Sequence, residues 1–396
     1  MSGENRARVD ILRQKLKPPN QAHPEIRRFI ERWKSAYPDN DNILDSQLGE
    51  LGLPELKPYL VWFRLDQMQG IERLESGSTG DVKKATVKHY RYHLGEVVMK
   101  RTNVPEVGIQ LRIYSRLYLN VICVSANSTG YFTVPVLGLS ENERGESFMV
   151  MGIADLGTLD DIRYNNWWQF VEMAQYLAAC LACLHNAGLI HGDLHPKNIA
   201  LMADITRPRF IDLGLGRAVE ENFQLSSHFP NTEYSPPELS SDHPTLTRES
   251  DVYTFAMVLW KVIVQKAPSD DLIKKIRDGD YPLPEPKDFF DILKGCWSLN
   301  PADRPNSHKV YELLQNWREN LAKTLPKFWP FTKRKNILFT RFDRATKQYI
   351  NQAKETNSEG SSFGYPPSDM GATQESTRGS FQNVADENEL GISGER

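Results

Sequence analysis

Cysteine is scarce in this chain, with four residues among 396, at positions 123, 180, 183 and 296. A disulfide-stapled secreted scaffold needs more, and a structural zinc site needs paired ligands. Cys180 and Cys183 stand three apart with no second pair nearby, so all four read as buried structural thiols. Long apolar runs are missing as well. No stretch approaches the roughly 20 apolar residues of a transmembrane helix, and the opening MSGENRARVD holds no apolar signal core. The expectation is a reducing compartment, the cytoplasm first and the nucleus second. A large charge of either sign is also lacking: the formal net charge is -3, so no nucleic-acid partner is expected. What is there is ordinary, 40% hydrophobic and 25% charged residues. That describes a globular chain with room for one unit of about 250 to 300 residues and appendages.

Residues 190–214, IHGDLHPKNIALMADITRPRFIDLG, carry the densest chemistry. Two short apolar runs, Leu189-Ile190 and Phe210-Ile211, each lead into an aspartate, Asp193 and Asp212, and Asn198 follows the first by five residues. A magnesium-nucleotide site needs such a set: a carboxylate to orient an incoming hydroxyl, another to hold metal, and a neutral oxygen to complete the metal shell. The stretch resembles the protein kinase superfamily, whose catalytic loop HRD-x4-N and metal motif DFG appear here as HGD with Asn198 and as DLG. The resemblance implies Asp193 as the catalytic base, Asn198 and Asp212 as magnesium ligands, and ATP as the phosphoryl donor. His195 stands where serine/threonine kinases carry a lysine. An imidazole there can donate a hydrogen bond to the transferred phosphoryl group, with less charge behind it. Gly192 replaces the arginine that in many kinases receives a phosphorylated activation segment, so control by a phosphate paired at this site is not expected. HGDLHP-x-N also resembles the loops of aminoglycoside and choline phosphotransferases and of ABC1-type kinases, and by itself leaves the acceptor open.

Upstream, IERLES, DVKKATVKHY and GEVVMKR read as strands. LESGSTGDV resembles the kinase glycine-rich loop, with Gly77, Gly80 and Val82 in register and Glu75 in place of the first glycine. A carboxylate so close to phosphate repels it unless it points outward. Lys100, after Val97-Val98-Met99, matches the lysine that contacts the nucleotide phosphates. Its usual glutamate partner falls by spacing at Gln110, with Glu106 one helical turn earlier as the alternative. Val98 and the Met151 gatekeeper, with Gly152, Ile153 and Ala154 as hinge, complete the nucleotide site that the resemblance implies. Trp167 to Gly188 reads as one long helix.

Downstream segments separate the readings. NTEYSPPEL resembles G-T-x-x-Y-x-A-P-E, SDVYTFAMVLW the helix whose Asp251 anchors the catalytic loop, and CWSLNPADRP the segment whose Arg304 pairs with Glu238. Small-molecule phosphotransferases lack this peptide platform. The fold expected is therefore α+β, a bilobal protein kinase-like fold with a small β-rich N-lobe and a larger helical C-lobe. The spelling leans toward the tyrosine-kinase-like branch, while the loop lacks A-A-R and favours serine/threonine acceptors over tyrosine. Ser226, Ser227, Thr232, Tyr234 and Ser235 are candidate phosphosites.

The expected division is a helical N-terminal extension over 1–62, an N-lobe over 63–152, a C-lobe over 153–322, a basic-aromatic appendage over 323–354 and a disordered tail over 355–396. In the extension, Ile26, Phe29, Ile30 and Trp33 fall on one helical face that either packs on the domain or docks a partner. Segment 331–350 mixes six cationic residues with Phe331, Leu338, Phe339 and Phe342 and reads as a solvated appendage, a docking helix, a membrane-surface patch or an import signal. Three functions stay open: an active protein kinase with a protein substrate, a pseudokinase, for which Glu75, Gln110, His195 and Asn231 speak together, and a small-molecule phosphotransferase, for which HGDLHP alone speaks.

Overall fold

Period-two alternation in EVVMKR and SFMVMG gives the same strands two apolar faces, and both are buried. The computed structural model describes residues 20, 24–51, 53–74, 82–87, 95–101, 133–134, 136–164, 167–202, 204–213, 217–218, 233–240, 244–280 and 287–324. The glycine-rich loop with Glu75, Gly77 and Gly80, the positions Glu106, Gln110, Cys123, Ser226, Ser227, Asn231 and Thr232, the 331–350 segment and the 355–396 tail lie outside the described residues.

The N-lobe sheet has six strands: β1 (Val61–Trp62), β2 (Met68–Arg73), β3 (Val82–Val87), β4 (Glu96–Arg101), β5 (Val136–Glu141) and β6 (Ser147–Gly152), in spatial order β1-β5-β6-β4-β3-β2. Every pairing is antiparallel except that of β1, which runs parallel to β5. Val97, Met99, Phe148 and Val150 fill one face, and Val98, Met149 and Met151 the other.

The segment before β2 wraps the β5 edge of that sheet. Helix α1 (Pro24–Ala36) buries Ile30 and sets Trp33 and Tyr37 against Phe63, the Tyr37 and Phe63 ring centroids 4.7 Å apart. Helix α2 (Ile43–Leu51) buries Leu44 and Leu48, and Leu53, Leu56 and Leu60 follow them into the same cluster. Lys34 pins the turn by donating to the carbonyls of Lys57 at 2.6 Å and Leu60 at 3.1 Å; burial and the nearby Lys57 charge both lower its pKa. The parallel strand needs a glycine opposite it. A Cβ at Gly138 would sit 2.1 Å from the Val61 carbonyl oxygen, so only a bare backbone lets β1 approach.

The C-lobe is built on two helices that are apolar nearly all round, α3 (Trp167–Asn186) and α4 (Arg248–Val264). Helices α5 (Asp270–Asp278), α6 (Lys287–Cys296) and α7 (Ser307–Thr324) close over them. Trp167, Phe170, Phe289 and Trp317 meet mostly edge to face at 5.3 to 5.9 Å. A reciprocal Thr247–Ser250 capping box starts α4, and α3 gives way to Gly188 at φ +69. Short strands β7 (Leu189–Ile190), β8 (Ile199–Met202), β9 (Asp204–Phe210) and β10 (Arg217–Ala218) lie between α3 and α4 in sequence, pairing as β7 with β10 and β8 with β9. Cys180 and Cys296 are buried thiols, and burial pushes Cys296 up to about 12; Cys183 is half-buried. A small sheet-containing N-lobe thus precedes a larger helical C-lobe, the bilobal α+β fold.

Candidate active site

The sheet register gathers the N-lobe half of the site. Val82 lies opposite Lys100, Lys100 opposite Met149, and Val98 opposite Met151. Directly opposed residues share a face, as do residues two apart along a strand. Val82, Val98, Lys100 and Met151 therefore line one surface, and Ile153 and Ala154 continue from the end of β6 as half-buried residues.

The C-lobe half is set by the β8–β9 hairpin. Ile199 pairs with Phe210, which brings the residues just outside the pair together, and the Ile211 N–H donates to the Asn198 carbonyl at 3.0 Å. Asn198 closes a 3-10 turn begun by Pro196, and its side-chain Nδ2 donates to the Asp193 carbonyl at 2.9 Å and to Asp193 Oδ2 at 3.1 Å. This network assigns the amide orientation, with Oδ1 as the acceptor end. His195 Nε2 lies 3.7 Å from Asp193 Oδ2, and its ring centroid is 6.3 Å from that of Tyr234.

Asp212 adopts φ +55, in the left-handed region that non-glycine residues seldom visit. Such a conformation costs on the order of 1–3 kcal/mol and is retained only where surroundings impose it. One element of those surroundings is Lys100, whose ammonium lies 2.8 Å from Asp212 Oδ1, with both side chains largely buried. Asp193 and Asn198 thus form one joined pair, and Lys100 and Asp212 another.

Beneath the loop stands Asp251, 2% exposed at the start of α4. Its Oδ1 accepts the Gly192 N–H at 2.9 Å and its Oδ2 the His191 N–H at 2.7 Å. His185 Nε2 lies 3.0 Å from the same Oδ2, and His185 Nδ1 lies 2.9 Å from Ser307 Oγ. A single tautomer, with the proton on Nε2, donates to the carboxylate and accepts from the hydroxyl. The end of α3, the start of α4 and the start of α7 are so tied to one loop. The sequence pattern pointed to Asp251; His185 and Ser307, 122 residues apart, carried no mutual signal.

His191 is fully buried. Burial lowers its pKa and outweighs the upward pull of Asp251, Asp193 and Asp212. Its Nδ1 is 3.3 Å from the Asp193 N–H, while Nε2 has no hydrogen-bond partner among the described residues and the ring meets Phe210 edge on. A neutral imidazole with Nδ1 accepting fits that position. Gly192 has φ +77, so a side chain there would be strained.

A shallow cleft opens beside Asp193, walled by Leu194, Tyr234, Pro236, Leu239 and Leu246. Its outer wall is held by Glu238, whose carboxylate takes two 2.7 Å hydrogen bonds from Arg304 and one of 3.0 Å from Ser250 Oγ. Arg304 also donates to the carbonyls of Ser298 and Glu249 and lies over the Tyr253 ring. Burial pushes the Glu238 carboxyl up, but the hydrogen bonds and charge of Arg304, with those of its own backbone and Ser250, more than offset it and hold the pKa below the ordinary value.

Comparison with known proteins agrees with this layout. The protein tyrosine and serine/threonine kinase family matches residues 68–314. A probable serine/threonine-protein kinase of Dictyostelium discoideum is 27% identical over 274 residues, covering 65% of this chain and 19% of that protein. A second from the same organism is 30% identical over 201 residues, 48% of this chain and 33% of its own length. Human receptor-interacting serine/threonine-protein kinase 1 is 30% identical over 161 residues, 33% of this chain and 23% of its own length. The chain thus spans a third or less of each of these relatives. No described helix is long and apolar enough to cross a membrane. With more than half its length matched and a small sheet-containing lobe ahead of a larger helical one, the chain belongs to the protein tyrosine and serine/threonine kinase family and carries a kinase domain related to serine/threonine kinases.

Proposed function

We propose that this chain transfers the γ-phosphoryl group of ATP to a protein hydroxyl, serine or threonine before tyrosine. The observation that carries the reading is the joined pair Asp193–Asn198 beside the pair Lys100–Asp212, four groups from three segments of one chain. Asp193, 11% exposed and steadied by Asn198, is the group that accepts the acceptor's proton as its oxygen attacks phosphorus. His195, 3.7 Å from it, donates to the transferred phosphoryl oxygens. Lys100 binds phosphate, and Val82, Val98, Met151, Ile153 and Ala154 hold the adenine end, with Gly77 and Gly80 over the phosphates. Protein acceptors reach Asp193 over the cleft that Glu238 and Arg304 brace.

Asp212 and Asn198 Oδ1 offer a carboxylate and an amide oxygen, the hard donors magnesium takes when phosphate oxygens and water complete its shell. Bound there, magnesium would neutralise phosphate charge.

A second reading weighs the same Lys100–Asp212 contact differently. The Lys100–Asp212 contact occupies the phosphate cation with the metal carboxylate, as a pseudokinase that has given up transfer would tolerate. A Mg·ATP transfer assay with generic protein acceptors separates the two. We expect transfer by the unmodified chain and a loss of about 100-fold or more on Asp193→Asn, the usual contribution of a positioned base. Lys100→Met should weaken ATP binding. Transfer unchanged in Asp193→Asn removes the first reading, and nucleotide binding without transfer supports the second. The domain boundaries proposed for the chain follow the same reading: an extension to residue 62, lobes meeting at 152–153, and the C-lobe to 322.

A further inference from the structure

The N-terminal extension does more than lean on the kinase lobe. Leu44, Leu48, Leu53, Leu56, Tyr59 and Leu60 belong to one buried cluster with Met149 and Met151 of β6, and Val98, Ala154 and Ile211 pack against it. Val98, Met151 and Ala154 are the residues read above as holding adenine, and Ile211 directly precedes Asp212. The extension therefore reaches the nucleotide surface from behind, through side chains that are themselves almost wholly buried.

Its attachment is specific. β1 adds a parallel strand to the β5 edge, pairing Val61 with Gly138 and Trp62 with Leu139, and the Phe63 N–H donates to the Leu139 carbonyl at 2.8 Å. The Gly138 notch admits that strand, and Gln47 of α2 reaches across to bond Glu141 Oε2 at 2.6 Å. Strand alternation then sends Leu60 and Trp62 to the Met151 side and Val61 and Phe63 to the opposite cluster, so β1 clasps both faces of the edge.

We propose that residues 43–63 form the rear wall of the nucleotide pocket and that their docking on β5 sets affinity for the adenine end of ATP. This rests on the adenine-site reading above. The residues act through Met151, Val98 and Ala154; they are positioning residues and touch no substrate. Cores are close-packed, so a wall displaced by one strand moves the side chains it supports.

The test is Gly138→Ala, whose Cβ would meet the Val61 carbonyl at 2.1 Å and force β1 outward. Affinity for Mg·ATP and for adenosine is measured on the full chain, well below its unfolding temperature. We expect both to weaken by the same factor, about fivefold to fiftyfold, because the change lies at the adenine end. Lys100→Met should weaken ATP alone. Gly49→Ala, in α2 with open space around its Cβ, should leave both affinities alone. Leu60→Ala, with Leu60→Met restoring binding, repeats the test should Gly138→Ala fail to fold. A Gly138→Ala chain that is less heat-stable yet binds both ligands as before overturns the rear-wall role and leaves the kinase reading standing. Absence of Mg·ATP and adenosine binding in the unmodified chain overturns both.

Discussion

Replacing Asp251 by asparagine tests whether the catalytic loop is held from below by a charge or merely by contact. The aspartate supplies two acceptor oxygens, one to the Gly192 N–H, the other shared by the His191 N–H and His185 Nε2. Asparagine keeps the shape but turns one oxygen into an NH2 donor. If the nitrogen faces Gly192, that backbone N–H is left unpaired; if it faces His191, another N–H is left unpaired and His185 must also change tautomer. Either way a buried donor loses its acceptor, at about 1–3 kcal/mol, and the remaining bonds lose the strengthening a full charge gives, which roughly doubles a hydrogen bond. The total is about 2–4 kcal/mol of stability.

Urea denaturation measures that directly. The more telling readout is transfer rate at a temperature where the variant is fully folded. Because Asp193 follows the two anchored amides, its carboxylate loses its fixed bearing, and misplacement of a reacting group by about 1 Å can cost on the order of 100-fold. We expect kcat to fall while KM for ATP stays near its original value. A variant within about 0.5 kcal/mol of the parent, with unchanged kcat, would refute the anchoring role.

Glu238→Gln should cost about 3–5 kcal/mol, because it leaves the fully buried Arg304 guanidinium without its counter-charge; a double-mutant cycle with Arg304→Met should recover part of that loss, and additive effects would contradict the pairing. Stability should fall as pH falls. His191 is held below its ordinary 6.5, so under that pH the unfolded chain binds the proton first and stability drains away. Glu238 is held below its ordinary 4.5, so its contribution is present above that value and is lost on further acidification. Urea midpoints at pH 8, 6, 5 and 4 should decline in that order, and a rise on acidification from 7 to 5.5 would contradict the burial of a neutral His191.

Much of the C-lobe was readable from the order of residues. The resemblance to kinase motifs implied that Asp251 anchors the loop and that Arg304 pairs with Glu238, and the structure has both contacts. Those are charged groups in regions where burial demands a partner, and such a demand leaves a trace in residue type. The long helix was legible because it is apolar at every helical step, and it runs Trp167–Asn186. The helical face in the extension was legible for the same reason, and Ile30 is buried there. Strand β1 was not. Two residues, Val61 and Trp62, are too few for alternation to register, and the feature that specifies their pairing, Gly138, lies far along the chain and resembles any other glycine. The Lys100–Asp212 pairing escaped for a related reason. The two residues lie 112 apart in two separate motifs, and Gln110 and Glu106, the partners expected for the lysine, lie outside the described residues.

The departures in the catalytic stretch become intelligible through what Asp251 binds. It holds the loop by the main-chain N–H groups of His191 and Gly192 and asks nothing of the side chain at 192. At φ +77 glycine is the residue that takes this conformation without strain. On the proposed kinase reading, glycine there gives up one route of control by phosphorylation, while the hold on the loop ahead of Asp193 stays in place. His195 lies 3.7 Å from the Asp193 carboxylate, and on that same reading an imidazole in place of lysine bears on charge at the phosphoryl group. If the chain transfers phosphate as proposed, these two positions, three residues apart, bear on separate links: Gly192 on regulation, with the anchor intact, and His195 on the rate of transfer. A chain with this loop should keep the pose of its catalytic segment, and His195→Lys should raise the transfer rate without moving that pose.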